Sequence, residues 1–541
     1  MSRDEWRWAG ACAALIVGLT CLPYLTARAL TPPGMTYTWL LYNPDEPNVH
    51  LQWMREARDG RFFFADLFTT ERAPDQFSNL FLWALGRLAG LRHAIGMGGG
   101  VILEYHLARI VSGWLLLVAV YAFAAQIADD KRVRRTTFWL AAVGSGLGWL
   151  DYWLGLPLEP GDVNVNLVMP EAVTFLSVLL YPLFSFSMFL MVATLALALA
   201  NRERNQPTIY AAIAVCTAVL ANVHTYDVIP LWLTLGLWAL TTRRLRFIGY
   251  LAMSLLPSVA VVAWQFVVFR SNPVFREKAL THTPTPDPLS LAMTFGLIGV
   301  LAVGGAVRAH RDERLSLALL WAIIGLAVIH VPVTLVSFQR KMIEGLHLPL
   351  CFLAAVAIWG GRGASQATND GTNRRGRSLT LSNVLIIATA LSNLAFLHLC
   401  FGHLIDNNQS RAGVFMPPYY LRKEEVAAFD WLDQQPDDDR AVLCLPYLGA
   451  HIPGRSGRRV FIGHWAETLR FGDKLNQARQ YFQTRMSNDE ALQLFEDHHL
   501  GYVLYGSYER ALFPDWHPPS WLVTAFVRGD TTVYEMRQPD S

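Results

Sequence analysis

The chain has 541 residues, of which 53% are hydrophobic and 16% are charged. Because soluble domains usually have about a quarter of their residues charged, this composition excludes an ordinary soluble enzyme and indicates a polytopic membrane protein. The formal net charge of +2 gives no signal for nucleic-acid binding. The six cysteines show neither a disulfide framework nor a zinc-binding pattern.

Apolar segments along residues 1–403 predict about eleven membrane-spanning helices. The predicted spans lie near residues 9–29, 100–128, 136–156, 172–200, 207–223, 228–242, 246–269, 289–307, 315–337, 346–360 and 379–403. The apolar part of the first segment is longer than the roughly 7–15 residues of a signal peptide, so we interpret it as an uncleaved span.

Lysine and arginine cluster in alternate loops between these spans. Basic residues stand, for example, at 131–135 and 243–246, whereas the loop at 157–170 and the turn at 223–227 have none. Since cytoplasmic loops carry the excess of Lys and Arg, the N-terminus is predicted to lie inside and the region after residue 403 outside. Residues 361–377, rich in Gly, Ser, Thr, Asn and Arg, are predicted to form a flexible cytoplasmic linker.

The first outside loop, residues 30–99, is long and contains two helical patterns. We expect one helix over residues 45–60, ended by Gly60, and a second, amphipathic helix over residues 76–94. Both are predicted to lie along the membrane face.

The first of these helices begins with two acids, in the sequence Tyr-Asn-Pro-Asp-Glu-Pro-Asn-Val-His at positions 42–50. Asp45 and Glu46 at the membrane surface suit proton abstraction from a sugar hydroxyl, or the binding of a metal–phosphate. The alternative is that Asp45 only caps the helix. His50, one turn after Glu46, is placed to pair with it, and its alternative is an ordinary interfacial histidine.

A second polar group stands at the outer end of a predicted span, in Gln339-Arg340-Lys341-x-x-Glu344-x-x-His347. Cations at membrane depth cost about 2.5–3.5 kcal/mol each on insertion scales, which favours a functional reason for them. On a helix, Arg340, Glu344 and His347 would share one face, and this favours a site. The alternative is that Arg340 and Lys341 extend to lipid head groups.

Further candidates are the turn His224-Thr225-Tyr226-Asp227, the acids Glu171 and Asp162, and His464-Trp465-x-Glu467 in the tail. The alternative for Asp227 is a cap of the following helix. The alternative for Glu171 is an acid favoured by a helix N-terminus. His464 suits either contact with an acceptor or a structural role.

Residues 404–541 have the character of a soluble domain. We expect helices near 422–434, 469–484 and 488–497, the last capped by Ser487, and strands at 441–445, 459–462, 502–505, 522–527 and 531–536. The predicted fold class is therefore an all-α polytopic membrane domain over 1–403, followed by an extracytoplasmic α/β domain over 404–541.

This arrangement resembles the C-type (GT-C) glycosyltransferases, membrane enzymes that use a polyprenyl-phosphate-linked sugar as donor. Two motifs carry the resemblance, Asn-Pro-Asp-Glu at 43–46 and Phe-Gln-Arg-Lys-Met-Ile-Glu-Gly-Leu-His at 338–347. The chain is similar to the RgtA/B/C/D-like and O-mannosyltransferase-like members. It lacks the Trp-Trp-Asp sequence of oligosaccharyltransferase catalytic subunits, so asparagine-linked glycosylation is disfavoured.

The resemblance implies roles for the candidate residues. Asp45 matches the acid at the reaction centre and is expected to be the catalytic base or a metal ligand, with Glu46 beside it. Arg340 and Lys341, together with His224 and Tyr226, are expected to bind the donor phosphate. Supporting roles are expected for His50, Glu171, Asp227, Gln339, Glu344 and His347.

The implied function is transfer of a hexose or pentose from a polyprenyl-phosphate donor to a glycan, lipid or protein acceptor. It would take place at the outer face of a bacterial plasma membrane, in cell-envelope glycan biosynthesis. Inverting and retaining courses both remain open. Metal use also remains open; a divalent cation, Mg²⁺ or Mn²⁺, would use Asp45 and Glu171, and no nucleotide cofactor is expected.

Two other functions are compatible with a polytopic membrane protein. One is a transporter or flippase of lipid-linked glycans, and the other is a non-catalytic assembly protein whose tail binds a partner. A transporter would more naturally show acids within spans and an internal repeat. The sequence shows no repeat, and this favours the enzyme.

Overall fold

A computed structural model describes residues 1–156, 165–279, 282–309, 312–332, 334–359, 371–414, 416–436 and 438–537. The candidate acid Asp162 and residues 361–370 of the predicted linker lie outside the described residues. Residues 371–377 of that linker belong to a helix, so this part of the prediction is wrong.

The described residues form 24 α-helices, numbered here in chain order. They are α1 Arg3–Leu19, α2 Leu22–Ala29, α3 Asp45–Arg58, α4 Leu80–Ala94, α5 Ile102–Ile127, α6 Lys131–Val143, α7 Gly148–Leu154, α8 Val165–Val168, α9 Thr174–Leu180, α10 Pro182–Asn201, α11 Pro207–Val223, α12 Val228–Thr242, α13 Leu245–Ser271, α14 Pro273–Ala279, α15 Pro288–Ala309, α16 Glu313–Val328, α17 His347–Trp359, α18 Gly371–Ile405, α19 Lys423–Asp433, α20 Pro446–Gly449, α21 Ile452–Ser456, α22 Phe471–Phe482, α23 Asn488–Asp497 and α24 Ser507–Leu512.

Six strands accompany them, all short. They are β1 Met35–Tyr37, β2 Tyr420–Arg422, β3 Ala441–Leu443, β4 Leu500–Tyr505, β5 Leu522–Arg528 and β6 Thr531–Met536. Strands β1 and β2 form an antiparallel pair, and the other four form a sheet in the order β3-β4-β6-β5.

Among the described residues, seven helical segments are long and apolar enough to cross a membrane, so the protein is an integral membrane protein. They are Arg3–Ala29, Ile102–Ile127, Pro182–Asn201, Leu245–Ser271, Pro288–Ala309, Gln339–Trp359 and Ser382–Ile405. The sequence prediction of eleven spans is not reproduced. The other four predicted spans correspond to shorter helices: α11, α12, α16, which ends at Val328, and the broken pair α6 and α7.

The chain forms two compact units, each built from separate stretches of sequence. Unit 1 contains Met1–Leu22, His106–Gln265 and His282–Leu399. Its helix α17 is almost entirely buried and packs against α6, α15 and α16. An all-round apolar helix of this kind belongs at the centre of a helical bundle.

Arg109 on α5 is a buried cation within unit 1, with 1% of its surface exposed. Its Nη1 donates to Thr20 Oγ1 at 2.8 Å and to the carbonyl oxygens of Val178 and Leu179 at 3.4 Å. Those two carbonyls lie in the last turn of α9, where helix carbonyls lack intrahelical partners. The guanidinium therefore stabilises the break between α9 and α10, where Pro182 begins the second helix.

Unit 2 contains Pro23–Tyr105, Phe266–Thr281 and Cys400–Ser541. Its four-stranded sheet is a layer between helices, because successive residues of β4 enter two different cores. Tyr502 and Leu504 pack with α19, whereas Val503 and Tyr505 pack with α22 and α23. This is the period of two expected for a strand that is buried on both faces.

Most of the elements predicted for the tail are present. Helix α23 begins after Ser487, whose Oγ accepts a hydrogen bond from the Glu490 N–H at 3.3 Å, as predicted. The predicted strand at 459–462 is wrong, since only an isolated parallel bridge joins Val460 to Val442.

Helices α3 and α4, both in unit 2, approach unusually closely at Gly86. A Cβ atom at this position would lie 2.2 Å from the Met54 carbonyl oxygen and 2.5 Å from Ala57 Cβ. Only glycine allows this close approach. The approach fixes the position of α3 and therefore that of Asp45, its first residue. The N-cap of α4 is Asn79, whose side chain accepts from the Leu82 N–H at 3.1 Å.

Candidate functional site

Asp45 is the first residue of α3 and is buried, with 4% of its surface exposed. The cap position is Pro44, and no side chain caps this helix end. Within the described part of the chain, the Asp45 carboxylate makes no hydrogen bond. The capping alternative for Asp45 is therefore wrong, and its burial needs another explanation.

Burial raises the pKa of Asp45 to about 6. Electrostatic interactions with His464 and Arg411 lower that pKa, and the interaction with Glu46 raises it. A carboxyl group with a pKa near the operating pH is suited to accept a proton during a reaction. Asp45 therefore has the environment of a general base.

The two neighbours of Asp45 in the motif behave differently from it. Glu46 is half-buried. The His50 ring packs between aromatic rings, with centroids 6.2 Å from Trp53 and 6.3 Å from Tyr105, and its pairing with Glu46 stays a prediction.

His464 is a minor candidate from the sequence. Hydrogen bonds within unit 2 fix the orientation of its ring. Its Nδ1 accepts hydrogen bonds from the backbone N–H groups of Ala466 and Glu467, both at 3.1 Å. Because Nδ1 is an acceptor, the neutral ring carries its proton on Nε2. That Nε2 is buried and has no hydrogen-bond partner among the described residues.

Arg411, in the 3₁₀ turn Gln409–Val414, was not singled out from the sequence. Its guanidinium carbon lies 6.0 Å from the centroid of the Tyr42 ring, three residues before Asp45. Its Nη1 is buried and makes no hydrogen bond within the described structure. No pattern around position 411 distinguishes it from an ordinary surface arginine, since its role depends on chain folding.

In unit 1, the candidate turn 224–227 and the candidate motif 339–347 contribute side chains to one cluster. His224 Nδ1 lies 2.9 Å from Asp227 Oδ2 and 3.4 Å from Glu344 Oε2. The Asp227 and Glu344 side chains are fully buried. Asp227 stands at the N-cap position of α12 without a side-chain cap bond, so the capping alternative is wrong here too.

These three side chains form a cluster, which we call the HDE cluster. One ligand atom from each of His224, Asp227 and Glu344 lies within 4.8 Å of the others. Apart from one another, both Asp227 carboxylate oxygens, His224 Nδ1 and Glu344 Oε2 are buried with no hydrogen-bond partner among the described residues. Ser187 donates a hydrogen bond to the other oxygen of Glu344.

The prediction that Arg340, Glu344 and His347 share one helix face is wrong. Residues Gln339–Ile343 form a 3₁₀ helix, and Glu344 is extended, with φ −57° and ψ 132°. Gly345 follows with φ +81°, a conformation that glycine adopts without strain. This break turns Glu344 towards His224.

The two cations of the motif have partners within unit 1. Arg340 Nε donates to Glu171 Oε1 at 3.1 Å. The Lys341 ammonium lies 5.1 Å from the centroid of the Tyr226 ring, a cation–π geometry. Glu171, expected as a metal ligand together with Asp45, instead pairs with Arg340; neither acid belongs to a cluster that could hold a metal among the described residues.

Gln339 and His347, expected to support the site, have structural contacts. Gln339 donates to the Val331 carbonyl and accepts from the Thr285 N–H. His347 Nδ1 lies 2.9 Å from Thr174 Oγ1, and its Nε2 lies 3.4 Å from Cys351 Sγ. Both side chains hold segments of unit 1 together.

No protein-family model matches this sequence, and no curated protein sequence matches it. Solved structures nevertheless match almost the whole chain. ArnT from Cupriavidus metallidurans bound to undecaprenyl phosphate has a TM-score of 0.53 and 14% identity, covering 96% of this chain and 97% of its own.

The archaeal oligosaccharyltransferase AglB from Archaeoglobus fulgidus matches in several structures. With an inhibitory peptide and a dolichol-phosphate it has a TM-score of 0.52 and 12% identity, covering 93% of this chain and 70% of its own. With Zn and sulfate it has a TM-score of 0.50 and 11% identity, covering 90% of this chain and 67% of its own. The chain thus has the fold of the GT-C glycosyltransferases.

Proposed function

We propose that the protein is a GT-C glycosyltransferase that transfers a sugar from a polyprenyl-phosphate donor to an acceptor hydroxyl. One observation carries the proposal: Asp45 is a buried carboxylate that neither caps its helix nor makes a hydrogen bond. Similar folds bound to undecaprenyl phosphate and dolichol-phosphate support the donor class.

In the proposed reaction, the Asp45 carboxylate accepts the proton of the acceptor hydroxyl. The bond between the sugar C1 and the donor phosphate oxygen breaks, and the phosphate leaves with the electron pair. The acceptor oxygen forms the new bond to C1. General-base assistance of this kind contributes about 10²–10⁴-fold to rate.

Donor-phosphate binding in unit 1 is assigned to Arg340 and Lys341, with His224 and Tyr226 as neighbours. The hydrogen bond from Arg340 to Glu171 uses only Nε. The two terminal nitrogen atoms of the guanidinium do not take part in that bond. Tyr226 holds the Lys341 ammonium over its ring. Charge-assisted bonds from such groups are the strong ones for phosphate oxygens.

The HDE cluster fits a divalent cation. Two buried carboxylates within 4.8 Å of an imidazole repel each other unless protons or a cation lie between them. One oxygen from each carboxylate and His224 Nδ1 supply three ligand atoms. One nitrogen with two carboxylates suits Mn²⁺ or Zn²⁺ better than Mg²⁺, which prefers oxygen ligands. A bound cation would supply positive charge for a phosphate group.

Metal binding has a readout that does not depend on activity. The purified protein, dialysed against Mn²⁺ or Zn²⁺, should hold one ion per chain by elemental analysis. Asp227→Asn should lose that ion, because it removes a charged ligand, whereas Glu203→Gln, an exposed acid of unit 1, should retain it. Equal metal content in both variants would contradict the assignment.

The transferase function is tested by donor cleavage in lipid nanodiscs. A panel of undecaprenyl-phosphate-linked hexoses and pentoses should contain a donor from which the protein releases free undecaprenyl phosphate. Movement of an intact donor across a sealed membrane without cleavage would instead indicate a flippase.

A further inference from the structure

Helix α10 contributes a further polar side chain, Ser187, to the surroundings of the HDE cluster. This side chain is completely buried, with 0% of its surface exposed. Its Oγ donates a hydrogen bond to Glu344 Oε1, whereas Glu344 Oε2 is the oxygen that lies 3.4 Å from His224 Nδ1. The two oxygens of this carboxylate therefore have different neighbours.

One face of α10 packs against the cluster over two helical turns. Phe184, Ser187 and Met191 are three and four residues apart, so they stand on the same face of the helix. The centroid of the Phe184 ring lies 5.5 Å from that of the His224 ring. A Cβ atom added at Gly345 would lie 3.1 Å from Met191 Cε, which places Met191 against the bend of the chain at that glycine. Ser187 thus stands at the middle of a helix face that contacts the cluster and this bend.

We propose that Ser187 is a positioning residue for the cation that the HDE cluster binds. Its hydrogen bond holds Oε1 of Glu344 and leaves Oε2 as the ligand atom for the ion. Hydrogen bonds to a ligating carboxylate orient the ligand, and their loss typically lowers metal affinity or activity by about 10–100-fold. The inference rests on the proposed function in one respect, because it requires a cation in the cluster.

The alternative is a serine that only satisfies a carbonyl group of its own helix. Ser187 Oγ also lies 3.0 Å from the Phe184 carbonyl oxygen, one turn earlier. A hydroxyl group has one hydrogen, so the two acceptors compete for it. A hydrogen bond to an ionised carboxylate is roughly twice as strong as one between neutral groups. The bond to Glu344 is therefore the favoured one when this carboxylate binds a cation.

Ser185 provides a matched control in the same helix. It is also completely buried, and its Oγ donates to the Ser177 carbonyl oxygen at 3.2 Å. Ser187→Ala removes the hydroxyl that contacts Glu344, whereas Ser185→Ala removes a hydroxyl that contacts the backbone. Because alanine has the highest helix propensity, both variants should keep α10 intact. Ser187→Thr keeps the hydroxyl and tests rescue of the positioning role.

The measurement is titration of the metal-free protein in detergent with Mn²⁺, in which electron paramagnetic resonance distinguishes free from bound ion. Ser187→Ala should weaken Mn²⁺ binding by about 10–100-fold. The spectrum of its bound ion should also change, because Glu344 is no longer held in one orientation. Ser185→Ala and Ser187→Thr should bind Mn²⁺ as the wild type does, and Asp227→Asn should lose binding.

Wild-type Mn²⁺ affinity of Ser187→Ala would overturn the positioning role and leave the cation site in place. Unchanged thermal unfolding of the metal-free variant shows that it is folded. Equal weakening by Ser187→Ala and Ser185→Ala would also overturn the role, since it would indicate a general effect on α10. A wild-type protein that binds no Mn²⁺ would overturn this inference together with the proposed cation site, so the two failures are distinguishable.

Discussion

At the scale of single residues, Asp45 is a buried acid that begins α3 without capping it. Its burial without a hydrogen-bond partner opposes folding, since an ionised carboxylate loses its hydration. Such residues are retained where a reaction needs them, and the resulting loss of stability is a recognised feature of active sites. This makes the stability of an Asp45 variant informative.

Asp45→Asn should make the protein more stable at pH 8. Raising the pKa of Asp45 from 3.8 to about 6 corresponds to about 3 kcal/mol of destabilisation when the group is ionised in both states. Well below pH 3.8 both states are protonated, so the difference should shrink towards zero. As the pH rises from 4 to 6, Asp45 ionises in the unfolded chain before it ionises in the folded protein. The free energy of unfolding of the wild type therefore falls relative to that of the variant.

Thermal unfolding in detergent between pH 4 and pH 8 measures this difference. The groups that act on Asp45 are His464, Glu46 and Arg411, and none of them changes in the variant. A lower unfolding midpoint for Asp45→Asn at pH 8 would mean that the carboxylate makes a stabilising contact.

Sequence reasoning identified several residues of the site but not their grouping. Asp45, His224 and Glu344 each stood out as polar residues at the ends of apolar segments. Only the atomic contacts distinguish a functional role of these residues from the alternatives, which are helix capping and exposed surface charge. Arg411 has no local signal, because its unpartnered atom arises from burial by residues distant in sequence.

At the scale of elements, hydropathy predicted the bounds of the helices α11 and α12 closely, and sequence pattern and capping did so for α3 and α23. Breaks inside apolar segments were missed, for example at Thr20 and Cys21 between α1 and α2. Hydropathy does not change at such a break. The hydrogen bond from Arg109 to Thr20, which stabilises it, joins residues 89 positions apart.

The approach of α3 and α4 gives a prediction at this scale. Gly86→Ala should destabilise unit 2 by about 1–3 kcal/mol, because its Cβ would overlap the backbone of α3. The matched control is Gly402→Ala on α18, where no atom lies within 4 Å of the new Cβ. Replacing this helical glycine should stabilise the protein by about 0.5–1 kcal/mol.

Thermal unfolding and donor cleavage of both variants test this account of α3. The Gly86 variant should lose activity together with stability, since Asp45 begins the displaced helix. Normal stability of Gly86→Ala would show that the two helices can separate at no cost.

At the scale of the whole molecule, the compact units do not follow the order of the chain. Unit 2 combines residues 23–105, residues 266–281 and the tail, with β1 paired to β2 across nearly 400 residues of sequence. Composition predicted the soluble character of the tail, but it carried no information about these distant pairings.

Topology remains a prediction from the alternation of Lys and Arg. Gln483→Cys in the tail should react with an impermeant maleimide added from outside, and Arg204→Cys in a basic loop should not. The cysteine-free background provides the control for labelling of native thiols. Labelling of both positions from the same side of a sealed membrane would contradict the predicted orientation.

The most direct test of the proposed function is turnover by Asp45→Asn with a donor that the wild type cleaves. The change is nearly isosteric and removes the proton acceptor, so release of undecaprenyl phosphate should fall about 10²–10⁴-fold. Asp59→Asn, at the other end of the same helix and half exposed, should retain wild-type turnover. Near-normal turnover by folded Asp45→Asn would contradict the role of Asp45 as the catalytic base.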